Sequence, residues 1–183
     1  MLLSFNLTAL EIRKPFIDEI EAIAQLYFHA WHGTYDSFAP QVLSSERSYE
    51  NCLEKWRNYY HKGDNHFILI ALENNNIVGV LFAGPLENKN PKECEDYDSE
   101  IDKLYIAPSL KNRGIGTKLL QTAFTKLRSL GFKKVVARSM TRNEDANIFY
   151  EKRGAILIAQ PIVSFNEKMS IYGFNLSSDE PSS

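Results

Sequence analysis

The 183-residue sequence predicts a single α/β domain: a central mixed, mostly antiparallel sheet flanked by helices. Three observations predict it. Segments of period two and period 3.6 alternate in the order β-α-α-β-β-β-α-β-α-β-β. A strand runs directly into a glycine-bearing turn and then a helix across residues 104–117. The length suits one sizeable hydrophobic core and is short for two domains.

Residues 8–15 alternate and read as the first strand, stopped at Pro15. Asp18 can cap a helix with Ile20, Ile23, Ala24, Tyr27 and Ala30 on its apolar stripe. His32-Gly33-Thr34 should interrupt it. A second helix spans residues 45–61, with Tyr49, Leu53, Trp56 and Tyr60 on one face. Strands at 66–72 and 77–84 are joined by Asn74-Asn75-Asn76, which suits a hairpin because Asn tolerates positive φ. A polar loop, 87–98, precedes a strand at 99–106, and Pro108 ends that ladder. A helix over 114–130 buries Ile115, Leu119, Leu120, Ala123, Leu127 and Leu130, with Gly131 as its C′ residue. A buried strand (133–140), a short helix (146–152) ended by Gly154, and two strands (155–165 and 168–175) complete the domain, 1–176. Residues 177–183 read as a disordered polar tail.

The formal net charge of −2 speaks against general nucleic-acid packaging. Charge is unevenly spread, however. Residues 103–153 hold twelve Lys or Arg against Glu144, Asp145 and Glu151, whereas residues 93–102 hold six acids and no base. This suits an anion beside a cation, or simply two solvated faces. Cys52 and Cys94 form no disulfide framework or metal pattern, and no apolar run reaches membrane-spanning length. A cytoplasmic protein with neither nucleic-acid nor membrane partners is expected. His29 and His32 lack a clear third ligand, so no metal is expected.

Two motifs carry the chemistry. Leu104-Tyr105-Ile106-Ala107-Pro108 leads to Lys111-Asn112-Arg113-Gly114-Ile115-Gly116, and about thirty residues later comes Asn143-Glu144-Asp145-Ala146-Asn147-Ile148-Phe149-Tyr150-Glu151-Lys152-Arg153-Gly154-Ala155. With the element order, these resemble the GNAT superfamily of acyl-CoA-dependent N-acyltransferases. Lys111 stands where that family has Gln or Arg, and Ala155 where it has Phe.

The resemblance implies acetyl-CoA as cofactor. Its pyrophosphate would lie on main-chain N–H groups between Asn112 or Arg113 and Thr117, including those of Gly114, Ile115 and Gly116. Both glycines would be needed to let it approach, and Lys111 and Arg113 would add charge. Its pantetheine arm would pair with the strand edge at Leu104, Tyr105 and Ile106, with the following strand splayed away. Asn143 and Asn147 could add side-chain hydrogen bonds, although Asn143 is equally a helix N-cap. Tyr150 resembles the family tyrosine beside the departing sulfur; the alternative is a core aromatic. Glu100, sharing a strand face with Asp102 and Leu104, is the candidate base, with Asp102 its rival. Trp31, Tyr35 and Phe38 could wall an amine acceptor, and Asp102 could bind it, although aromatics near a helix end are often core.

The implied function is acetyl transfer to a primary amine, on a small cationic molecule or a peptide. The alternative is a non-catalytic acyl-CoA-binding or sensing module. Members of the family often dimerise, so a homodimer is also open.

Overall fold

Asn74 and Asn75 both adopt positive φ, 52° and 62°, and fold β2 (Phe67–Glu73) back onto β3 (Asn76–Pro85). This is the two-residue turn that matches strand twist. The structure, a computed structural model, describes residues 10–36, 48–89, 91–162 and 167–177. Outside these lie Phe38, the start of the expected second helix, residues 163–165 of an expected strand, and the tail from 178.

β1 (Glu11–Arg13), β4 (Ser99–Ile106), β5 (Lys134–Met140), β6 (Ile156–Ala159) and β7 (Met169–Asn175) complete a seven-stranded sheet ordered β1-β2-β3-β4-β5-β7-β6. Every neighbouring pair is antiparallel except β4 with β5. That one parallel pair runs only from Ser99 opposite Val135 to Ile101 opposite Ala137. Beyond it β5 keeps its partner β7 through Met140, whereas residues 102–106 stay paired with β3 alone, apart from the bulge residue Asp102. The sheet therefore forks at its centre, as expected.

α1 (Ile20–Tyr35) and α2 (Tyr49–His61) cover one face, burying Ile23, Tyr27, Trp31 and Trp56 against Ile70, Val80 and Phe82. α3 (Ile115–Ser129) and α4 (Glu144–Glu151) cover the other, where Leu119, Leu120, Ala123 and Leu127 meet Leu81, Val135 and Tyr172. Each fully buried Leu or Ile contributes about 1.5–3 kcal/mol, so the fork is held between two cores.

Two expectations fail locally. α1 runs unbroken through Gly33 to Tyr35, because its apolar stripe continues through Trp31 and Tyr35; packing outweighs the glycine's roughly 1 kcal/mol helix penalty. Asp18 does not cap this helix. A 3-10 turn, Ile17–Glu19, precedes it, and the Glu19 carboxylate accepts from the Phe16 N–H at 2.7 Å while holding Arg13 at 2.7 and 2.8 Å.

Gly79 on β3 sets how closely α3 approaches the sheet. A Cβ there would lie 2.8 Å from Ile106 Cδ1, 3.0 Å from Leu119 Cδ1 and 3.2 Å from Ile115 Cγ2. Gly79→Val should therefore overpack this seam and cost about 1–3 kcal/mol. The check is urea unfolding, in which the midpoint should fall without a change in slope.

Candidate active site

The chain leaves β4 through a 3-10 turn, Pro108–Leu110, and reaches α3 by way of Asn112 and Gly114 in left-handed conformations, φ 64° and 81°. At Gly114 any side chain would be strained. A Cβ there would also project into open space, with nothing within 4 Å. The first bond of α3 comes from the Lys118 N–H to the Gly114 carbonyl, so the N–H groups of Ile115, Gly116 and Thr117 have no partner within the helix. They sit beside a cavity of about 490 Å³ that occupies the fork. Three free N–H groups at a helix start suit an anion, and the unpaired edge of β4 suits an extended amide-bearing chain.

Leu104, Tyr105, Ile106, Lys111, Asn112, Gly114, Ile115, Gly116, Thr117 and Asn143 all line this cavity. Arg113 does not. Its guanidinium turns out to Glu73 at the end of β2, at 2.9 and 3.3 Å. Gly116 lines the cavity and also meets a packing demand of its own. A Cβ there would lie 3.1 Å from the Phe149 ring, so this glycine seats α4 on α3.

Asn143 takes up the capping use expected of it, and it also lines the cavity. Its Oδ1 accepts from the Ala146 N–H at 3.2 Å, capping α4, and its Nδ2 donates to Tyr35 Oη at 3.2 Å on the cavity wall. Asn147 lies outside the lining. Its Oδ1 accepts from Ser139 Oγ at 2.7 Å and its Nδ2 donates to the Thr141 carbonyl at 2.8 Å, so both ends of the amide fasten α4 to β5.

Tyr150 is a core aromatic that also reaches the cavity. Its ring packs against Tyr172 and Phe174 and is only 6% exposed, yet the residue lines the cavity. Burial, and then nearby Tyr35, push its pKa well above the usual phenol value. The hydroxyl therefore keeps its proton.

The acceptor side departs from simple alternation. Phe82 faces Lys103 but Ala83 faces Ile101, so Asp102 is an extra residue, a β-bulge. The bulge reverses which side later residues take: Ile101 and Leu104 both pack on the α3 face, while Tyr105 joins the α1 face. Glu100 and Leu104 thus do not share a face, contrary to strict period-two counting.

Asp102 lines the cavity and accepts from Tyr59 Oη at 2.8 Å and from Lys103 Nζ at 2.6 Å. Burial would raise its pKa, but the Lys103 charge and these hydrogen bonds win and hold it below the usual value. Glu100 behaves oppositely: burial first, then the Asp102 charge, raise its pKa despite an ion pair with Arg138 at 2.8 Å. Glu100 is not in the lining, whereas its partner Arg138 is. Lys55 of α2 feels both Asp102 and Lys103, and burial with the Lys103 charge pushes it down to about 8. The acidic run is thus partly consumed by structure; Asp98 accepts from the N–H groups of Lys133 and Lys134 at 2.9 and 3.0 Å.

Of the expected aromatic wall, Tyr35 lines the cavity. Trp31 does not: it is 1% exposed in the core beneath α1, which leaves no surface for an acceptor. Sequence reasoning missed Arg138, Ser139, Lys152 and Arg153, all of which line the cavity. For the last two, the cue was their place directly after Tyr150 in the second motif. Among the described residues no group of three or more His, Cys, Asp or Glu is gathered to hold a metal, and no helix is long and apolar enough to cross a membrane.

A sheet forked beside a glycine-bearing helix start, with Tyr150 on the facing wall, makes a slot suited to an extended, phosphate-bearing chain. A family model described as "Acetyltransferase (GNAT) family" matches residues 21–155. The chain is 28% identical over 159 residues to the probable N-acetyltransferase camello of Xenopus laevis, covering 86% of this chain and 68% of that protein. Its fold is similar to a PaiA N-acetyltransferase from Thermoplasma acidophilum in complex with coenzyme A (TM-score 0.68, 19% identity, 91% of this chain and 99% of that one). It is also similar to yncA, a putative acetyltransferase from Salmonella typhimurium with its cofactor acetyl-CoA (TM-score 0.70, 22% identity, 96% and 97%). The chain belongs to the GNAT acetyltransferase family.

Proposed function

We propose that the protein transfers an acetyl group from acetyl-CoA directly to a primary amine, on a small cationic molecule or a peptide. The observation that carries this reading is the fork. One wall is the free edge of β4 leading to three N–H groups of α3 without a partner in the helix, and the other carries Tyr150.

The cradle fits acetyl-CoA. Gly114 leaves room beside the turn, the N–H groups of Ile115, Gly116 and Thr117 suit a diphosphate, and the main chain of Leu104 and Ile106 suits the pantetheine amides. When bound, acetyl-CoA supplies an acetyl thioester activated toward attack by an amine. Tyr150 holds a proton at Oη, where a departing thiolate would accept a hydrogen bond. Asp102, kept ionised by Lys103 and Tyr59, receives the acceptor as an ammonium ion. Glu100, the more basic carboxylate, takes the ammonium proton through a water at the Arg138 wall.

The test is thiol release from acetyl-CoA across a panel of polyamines, amino acids, lysine peptides and peptide N-termini, with products weighed by mass spectrometry. An acetylated amide supports the proposal. Tight coenzyme A binding with no product from any amine would instead favour the sensing module. Absence of coenzyme A binding would reject both.

A further inference from the structure

The turn's own arginine is spent on Glu73, but a second arginine comes from across the cavity. Arg153, just beyond α4, donates from Nε to Thr117 Oγ1 at 3.0 Å, again from Nη2 to the same oxygen, and from Nη1 to the Phe149 carbonyl at 2.7 Å. Its guanidinium lies 3.7 Å from the centre of the Phe149 ring. All of these partners are neutral. Among the described residues no carboxylate lies within ion-pair distance of Arg153, whereas Arg13, Arg113, Arg138 and Arg142 each have one. A half-buried cation held by neutral groups on a cavity wall is short of a counter-ion.

The geometry also fixes a proton. Thr117 Oγ1 accepts two N–H groups from Arg153, which fills its lone pairs. Its own O–H must then donate elsewhere, and Thr117 lines the cavity in the first turn of α3.

We infer that Arg153 is a diphosphate ligand: it supplies the positive charge that Arg113 does not, and orients the Thr117 hydroxyl as a donor to the same group. This rests on the acetyl-CoA reading. It assigns to the segment after Tyr150 a part in holding the donor's phosphates.

The test measures binding of three ligands: coenzyme A and dephospho-coenzyme A by calorimetry, and acetyl-pantetheine, which has no phosphate, by NMR titration. Arg153→Ala should weaken coenzyme A and dephospho-coenzyme A alike, by about 10- to 100-fold, the range for a hydrogen bond to a charged group. Acetyl-pantetheine should change by less than about twofold. Thr117→Val should show the same ligand pattern with a smaller loss, and Thr117→Ser should restore binding. Arg153→Lys, which keeps the charge but loses the planar fork, should fall between wild type and Arg153→Ala; it also carries the test if the alanine variant does not fold. Equal loss for all three ligands would make Arg153 a packing latch only and overturn the inference. So would loss confined to coenzyme A, which would place the contact at the 3′-phosphate, or no loss at all. Failure of the wild type to bind coenzyme A would reject the functional reading itself, a result distinct from any of these.

Discussion

Tyr150→Phe should lower kcat by roughly 10²- to 10⁴-fold while leaving coenzyme A affinity within about twofold, the range spanned by a positioned proton donor. The change removes one oxygen and leaves the ring. Because that ring is held by Tyr172 and Phe174, the packing of α4 on the sheet should survive. Burial has raised the pKa of the hydroxyl, so it keeps its proton at any working pH, which suits the proposed donor role and not that of a base. Steady-state rates with the best amine, alongside calorimetry with coenzyme A, separate the two effects. Unchanged turnover would return Tyr150 to a purely structural role.

Glu100→Gln should reduce kcat/KM by about 10²-fold near neutrality and alter the pH profile. Burial and the neighbouring Asp102 charge lift the Glu100 pKa above the usual glutamate value. A base must be unprotonated to work, so wild-type activity should fall as pH drops through that raised pKa. The limb should therefore lie above the ordinary glutamate range and vanish in the Gln variant. Asp102→Asn should instead raise KM for the amine with a smaller effect on kcat, because Asp102 is held ionised by Lys103 and Tyr59. If Asp102→Asn suffers the greater kcat loss and abolishes the acid limb, the roles of the two carboxylates are exchanged.

The element order and the turn were readable because each rests on local chemistry. Paired Asn residues tolerate positive φ, Gly131 and Gly154 end their helices at φ 90° and 83°, and Gly114 opens α3 at φ 81°. What escaped depends on distant partners. Nothing in residues 99–106 marks where an extra residue enters the ladder, since the bulge is set by pairing with Phe82 and Ala83. Trp31 and Tyr35 are separated by one helical turn on one stripe, and only tertiary packing puts the first in the core and the second on the cavity. Asn147 was drawn away by Ser139 and Thr141, and Arg113 by Glu73, forty residues upstream. Arg153 reaches Thr117 across thirty-six residues of sequence, so no local pattern could pair them.

The Asp102 bulge has a broader consequence. Along a regular strand, any slip of register would carry polar and apolar positions together to the wrong side. Here β4 changes phase midway, so the stretch holding Glu100 and Asp102 and the stretch holding Leu104 and Ile106 answer to different neighbours. Substitutions in the first half need not disturb the second, where we propose that the acyl carrier lies.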